Sequence, residues 1–395
     1  MRGNKHHFQI AALMAILVLF LTGEQAAAQH ETILYNGTGS AATLTFDASG
    51  NLYGTNSTSI FELSPSGLAW TENTLFATSG GLQNLEGTPV FGPGGNIYSV
   101  SQGGRGENFV FELIPSGGGT WTPTTLYTFP DTGTHGYQPY GSPTFDSAGN
   151  LYGTTYTGGA YGTTNNGGTV YELTPQSGGG WSQRVIHSFG NGTDGALPHA
   201  NVILDTAGNL YGTTAGGGAH DMGTVFELIH QSGGAYREKI LHSFTGGVDG
   251  AGPGTGLVFD SVGNLYGSTG GGGAHSGGVV FELIPQSNGT YQEKVLHSFG
   301  SGTDGSGPFC TLILDSAGNL YGTTFFGGTL HGGTAFELSP QAGGGWAERT
   351  LHNFGTSGDG ANPLAGLIFG VSGNLYGTTQ GGGALGEGTV FEITP

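Results

Sequence analysis

The sequence predicts an all-β fold: a seven-bladed β-propeller of four-stranded antiparallel blades, closed by the N-terminal strand. Three observations predict it. First, Gly-Asn-Leu-Tyr-Gly recurs with its Asn at Asn51, Asn96, Asn150, Asn209, Asn264, Asn319 and Asn374, the second copy reading Gly-Asn-Ile-Tyr-Ser. An aromatic-Glu-Leu string recurs as often, from Phe61 to Phe391. Second, each repeat holds four short apolar runs split by glycine-bearing turns, and helix periodicity is absent. Such runs read as antiparallel hairpins, and a four-stranded unit every ~55 residues is a propeller blade. Third, the last repeat stops after its third run, while Glu31-Thr32-Ile33-Leu34-Tyr35 resembles the fourth run Glu348-Arg349-Thr350-Leu351-His352. Pairing the two ends completes the seventh blade and removes an exposed strand edge.

Repeat five gives the elements in order. Residues 257–259 form strand A, and Asp260 to Gly263 turn the chain. Residues 264–267 form strand B, and 270–278 are a glycine loop. Residues 279–283 form strand C, 286–289 turn again, and 291–299 form strand D. The A–B turn carries Asp146, Asp205, Asp260 and Asp315, each ahead of Gly-Asn. An Asp there bonds its own turn backbone and the Gly supplies positive φ, so this Asp is read as structural. Blades are expected at about 41–78, 87–130, 141–190, 200–245, 255–300, 310–355, and 365–395 plus 29–36, in one domain spanning 29–395. Because strands alternate direction, A–B and C–D turns share a lower face, and B–C and D–A loops share an upper face.

Composition agrees. Of 395 residues 83 are Gly and 16 Pro, yet 11% are aromatic, more than a disordered chain carries. Only 8 Lys and Arg face 27 Asp and Glu, a net charge of −19, which excludes the basic clusters that nucleic acid or anionic lipid requires. Arg2 and Lys5 precede an apolar run at 10–21, too short to span a bilayer comfortably, and Ala26-Ala27-Ala28 offers a cleavage site. Residues 1–28 are therefore expected to be a signal peptide. The mature chain is expected to be periplasmic or extracellular, without membrane insertion, and monomeric. The single cysteine, Cys310, excludes an intramolecular disulfide.

Leu-Tyr-Gly-Thr-Thr, a glycine-rich loop, then Gly-Thr-Val-Phe-Glu-Leu runs through 210–228, and 375–393 repeats it with Ile at the end. This pattern resembles the GloVer tandem repeat of exported bacterial proteins, and the resemblance covers 29–395. It implies a propeller-like repeat protein at or beyond the cell surface, and it implies no particular reaction. Asp-x-x-Gly-Asn-Leu-Tyr-Gly-Thr also resembles, more weakly, the propeller repeats of periplasmic sensor proteins.

Repetition sorts candidate residues. His187, His242, His297 and His352 are each followed seven residues later by Asp194, Asp249, Asp304 and Asp359. Their column also holds Phe76 and Tyr127, so a structural His–Asp bond is expected rather than a catalytic dyad. The recurring strand C Glu faces Arg184, Lys239, Lys294 or Arg349 in strand D. Cys310 falls in a column of small residues and is read as packing. Residues peculiar to one or two blades lie in the upper B–C loops. They are Arg105, Glu107, Tyr156, Tyr161, His220, Asp221, His275, Phe325, Phe326, His331, Gln380 and Glu387, the candidate ligand-binding set.

His220, His275 and His331 come from three adjacent blades, and three imidazoles suit a zinc-like ion, against a plain reading as solvated loop residues. Exposed aromatics suit stacking on sugar rings. The expected function is an exported, non-catalytic scaffold whose upper face contacts a glycan or a surface or secreted protein, with no cofactor. The alternative is a carbohydrate-active hydrolase or lyase. A hydrolase needs paired carboxylates, whereas the non-recurring acids Glu86, Glu107, Asp131, Asp221 and Glu387 are scattered over different blades.

Overall fold

The computed structural model describes residues 30–395 apart from 38–41, 68, 79–83, 86, 104–107, 131–132, 163–166 and 356–357. The expected signal peptide thus lies outside the described residues, as do Arg105 and Glu107. Seven antiparallel units succeed one another along the chain, each of four strands, the third with a further short strand, Tyr137–Pro139, paired to its strand B. In blade five, strand A is Val258–Phe259, B is Leu265–Thr269, C is Val279–Pro285 and D is Tyr291–Ser298. Strand A is short because strands converge at the axis. Strand D is longer and outermost. Blade seven is completed by His30–Asn36, which pairs with Thr389–Thr394 in the register Ile33↔Phe391 and Asn36↔Thr389. Closure by the N-terminal strand is therefore observed.

The core lies between blades. Tyr211, Val225, Leu241 and Phe244 of blade four pack with Leu257, Leu265, Phe281 and Leu283 of blade five. The strand D end of one blade sets its Phe against the strand C aromatic of the next. Phe189–Phe226, Phe299–Phe336 and Phe354–Phe391 all have centroids 4.9 Å apart. Each such ring is fully buried. Burial contributes about 1.5–3 kcal/mol per side chain before entropy is subtracted. The Gly of Leu-Tyr-Gly makes room for this ring: a Cβ on Gly267 would lie 2.6 Å from Phe281 Cζ.

Hydroxyls stitch the blades together nearer the axis. Thr213 Oγ1 donates to Thr255 O (2.8 Å), Ser268 Oγ to Cys310 O (3.0 Å) and Thr323 Oγ1 to Ala365 O (3.0 Å). The small column containing Cys310 thus lets a neighbouring hydroxyl reach the backbone. Burial pushes the Cys310 thiol up to about 11, which keeps it protonated and unreactive.

On the lower face five A–B turns carry an Asp wired to the Tyr of strand B. Asp205 Oδ1 accepts from the Ala207 and Asn209 backbones, and its Oδ2 from Asn209 Nδ2 and the Tyr211 hydroxyl. That hydroxyl also lies 3.0 Å from Glu227 Oε1, and Lys239 donates to Glu227 Oε2 at 3.2 Å. The recurring Asp, Tyr, Glu and base are one repeated structural network.

Candidate functional site

Strand A enters the axis from the D–A loop, and the loop's last residues decide what lines the upper mouth. Five of these loops read Pro, then one variable residue, then a small one: Pro139-Tyr140-Gly141, Pro198-His199-Ala200, Pro253-Gly254-Thr255, Pro308-Phe309-Cys310 and Pro363-Leu364-Ala365. The variable residues of all five line one axial cavity of about 630 Å³. Tyr140 and His199 stack with centroids 3.6 Å apart, and Tyr156 meets His199 edge-on at 5.6 Å. Across the mouth Phe309 stands 6.4 Å from Phe325, which touches Phe326. Gly254 leaves a gap between the two ring groups. Its φ is not positive, and a Cβ there would meet nothing nearer than 3.9 Å.

The rest of the lining mixes the hydroxyl and amide groups of Thr43, Thr88, Ser142, Asn201 and Thr311 with apolar Val90, Ile313, Leu367 and Ile368. Strand A residues this close to the axis lack a sheet partner on one side, so hydroxyls serve their N–H groups. Thr88 N donates to Ser142 Oγ (2.9 Å), Gly256 N to Thr311 Oγ1 (3.0 Å) and Gly366 N to Thr43 Oγ1 (3.1 Å). Among the described lining residues none is Asp, Glu, Lys or Arg. The titratable His199 is held down to about 4 by burial, against a hydrogen bond to the Gly254 backbone. It is neutral at pH 7, so the cavity carries no charge from its described walls.

Of the residues expected from sequence, Tyr156 lines this cavity and Phe325 reaches it through Phe309. His220, Asp221, His275, His331 and Glu387 sit exposed on B–C loop tips that fold back onto the outer strand D. Ala219 N donates to Ser243 Oγ and Ala274 N to Ser298 Oγ, both at 2.8 Å, and Thr329 N to Asn353 Oδ1 at 2.7 Å. This anchoring carries the tips to the periphery. His331 also falls one residue beyond His220 and His275, at φ +62°, the place held by Asp221 and Ser276. The three histidines form no metal-holding cluster among the described residues. Gln380 is exposed, and its N–H bonds Asn362 O. Tyr161 is exposed and borders a second, peripheral pocket of about 380 Å³.

That pocket shows what the His–Asp pairs lacked in sequence. His187 Nε2 is 3.2 Å from Asp194 Oδ2, as expected, and 3.6 Å from Glu238 Oε1 of the next blade. Burial, then Asp194, pushes the Glu238 carboxyl up to about 9.

A ring of aromatic-lined blades around an axial pocket with no charged side chain among its described walls defines the class: a closed repeat propeller with an upper-face cavity. The chain belongs to the Gloeobacter/Verrucomicrobia repeat family, whose repeat matches residues 84–314 and 239–395. No curated protein matches it in sequence. Among solved structures it is similar to selenomethionine-substituted virginiamycin B lyase from Staphylococcus aureus, at 12% identity and a TM-score of 0.58, over 93% of this chain and 99% of that one. A catalytically inactive variant of that lyase with quinupristin is similar at 13% identity and 0.58, over the same shares. The extracellular domain assigned to a hybrid two component system of B. thetaiotaomicron is similar at 11% and 0.59, over 92% of this chain and 39% of that one. At these identities the likeness is one of fold.

Proposed function

We propose that this protein is an exported, non-catalytic binding propeller that takes the end of a neutral glycan into the upper mouth of its axial channel. The observation that carries the reading is the arc of Tyr140, His199, Tyr156 and Phe309 over walls that mix hydroxyl groups with aliphatic side chains, with no charged side chain among the described walls. Sugar rings present apolar C–H faces and polar edges. Aromatic faces serve the first at low entropy cost, and Thr, Ser and Asn groups serve the second. A volume of about 630 Å³ suits a small ligand. A net charge of −19 disfavours an acidic sugar. Export rests on the N-terminal apolar segment, and the exported chain should begin at Gln29.

The test is calorimetric titration with neutral mono- and oligosaccharides, after an array screen to choose them. Tyr140→Ala should weaken binding about threefold to tenfold, the loss of one stacking face. Gly254→Phe should fill the gap without backbone strain, leave the melting temperature unchanged and abolish binding. Binding unaffected by both variants would overturn the reading. Turnover of a bound sugar would instead favour a carbohydrate-active lyase or hydrolase on the same face. That second reading has one specific support: Glu86 occupies, in sequence, the column that holds Tyr140 and His199.

A further inference from the structure

We propose that His187, Asp194 and Glu238 form a binding site for a zinc-class divalent metal ion between blades three and four, repeated between blades six and seven by His352, Asp359 and Glu31. The geometry carries it. In each triad the three ligand atoms lie within 4.8 Å of one another. His187 Nε2 stands 3.2 Å from Asp194 Oδ2 and 3.6 Å from Glu238 Oε1. A tetrahedral ion with bonds of about 2.0–2.1 Å holds its ligand atoms roughly 3.3–3.4 Å apart, between those two distances. His352 Nε2 stands 3.1 Å from Asp359 Oδ2.

The second observation is unmet bonding capacity. Asp194 and Asp359 have side chains only 7% and 6% exposed. Their Oδ1 atoms, with Glu238 Oε1 and Glu31 Oε1, meet no N–H or hydroxyl donor among the described residues. A buried carboxylate oxygen without a donor is costly, and a cation resolves it. The equivalent positions at the two intervening junctions differ. Asp249 is bonded by the Thr245 backbone and hydroxyl. Asp304 Oδ1 accepts from Gly300 N, and Glu348 Oε1 from Thr350 Oγ1. Donors thus reach both carboxylate oxygens of Asp249 and Asp304, whereas at Asp194 and Asp359 they reach only Oδ2, from His187 and from His352 with Gly355 N; Glu293 Oε1 is also without a donor among the described residues.

Donor chemistry selects the ion. Imidazole nitrogen favours zinc and its neighbours over calcium or magnesium, and two carboxylates balance a dication. The pocket of about 380 Å³ bordered by Tyr161 and Asn191 gives an entry path to His187 and room for a water as fourth ligand. The site lies on the outer wall, separate from the axial mouth and independent of the glycan reading.

The test uses the full chain without a histidine tag, stripped with chelator and titrated with Zn²⁺ or Co²⁺ against Ca²⁺ and Mg²⁺. Two Zn²⁺ per chain are expected, held at least tenfold more tightly than Ca²⁺, with visible absorption bands for Co²⁺. Glu238→Gln should leave one ion, and Glu31→Gln with Glu238→Gln none, with circular dichroism unchanged. Glu293→Gln, and His220, His275 and His331 together changed to Ala, should each leave two. No binding by the natural chain overturns the proposal, since a proton shared by the carboxylates then suffices. Two ions retained by the double Glu variant, or binding lost in the triple His variant, overturns it as well.

Discussion

The same chemical change, Tyr to Phe, should act in opposite directions at two positions. Tyr211 and its six counterparts are Tyr in every blade, whereas Tyr171 stands in a column that is otherwise Phe. The Tyr211 hydroxyl lies 3.2 Å from Asp205 Oδ2 and 3.0 Å from Glu227 Oε1, and Glu227 is 7% exposed. Removing a donor to a charged, buried acceptor costs about 1.5–3 kcal/mol, and Lys239 on Glu227 places this case near the lower figure. The Tyr171 hydroxyl is buried and has no partner among the described residues. Its ring still packs on Phe129 at 5.0 Å once the oxygen is gone. Deleting it returns a desolvation cost of about 1–3 kcal/mol. Domains of roughly 150–250 residues shift about 2–4 °C per kcal/mol, and a longer chain shifts less. Thermal unfolding followed by circular dichroism should show Tyr211→Phe melting a few degrees lower, and Tyr171→Phe unchanged or higher. Shifts of the same sign would refute the reasoning, because the conserved hydroxyl would then be no more than a packing atom.

Two further outcomes follow from the same contacts. His242 bonds Asp249 at 3.3 Å and packs on Phe244 at 4.6 Å, so His242→Ala should lower the melting temperature, whereas Ala at His220, His275 and His331 together should not. For Asp315, burial acts upward, but bonds accepted from Asn319, Tyr321 and Ala317 outweigh it and hold the carboxyl below its usual range. A lowered folded value means stability present above about pH 4 and lost as pH falls through it. The melting temperature should therefore drop between pH 5 and 3 (roughly), and drop less steeply in Asp315→Asn.

Blade count, strand order and ring closure were legible because each rests on local turn chemistry repeated seven times. The axial site was less so. Its signal was present: Ala41, Glu86, Tyr140, His199, Gly254, Phe309 and Leu364 are all different, in a repeat where the neighbouring columns are uniform. The B–C loop tips vary more conspicuously in sequence, and only the backbone shows those tips bent outward onto strand D. The Glu238 partner of His187 is hidden in the sequence for another reason. It sits in the next blade, recurs as Glu293 and Glu348, and recurrence reads as packing. Whether a given copy is satisfied by Thr245 or left open is a matter of three-dimensional neighbours, which spacing along one blade does not encode.

The latch at the end of the ring has a kinetic consequence. Synthesis runs from the amino terminus, so the strand at 30–36 is the earliest of the described strands to emerge and its partner at 389–394 the last. The Ala384 backbone bonds Asn36 across 348 residues of chain. Contacts of such separation form late and slowly. Throughout that wait the growing fan of blades has an unpaired strand at each end, able to pair with a neighbouring copy. Assembly of this protein is thus a race between self-capture and entanglement, decided in the moment the youngest strand finds the oldest.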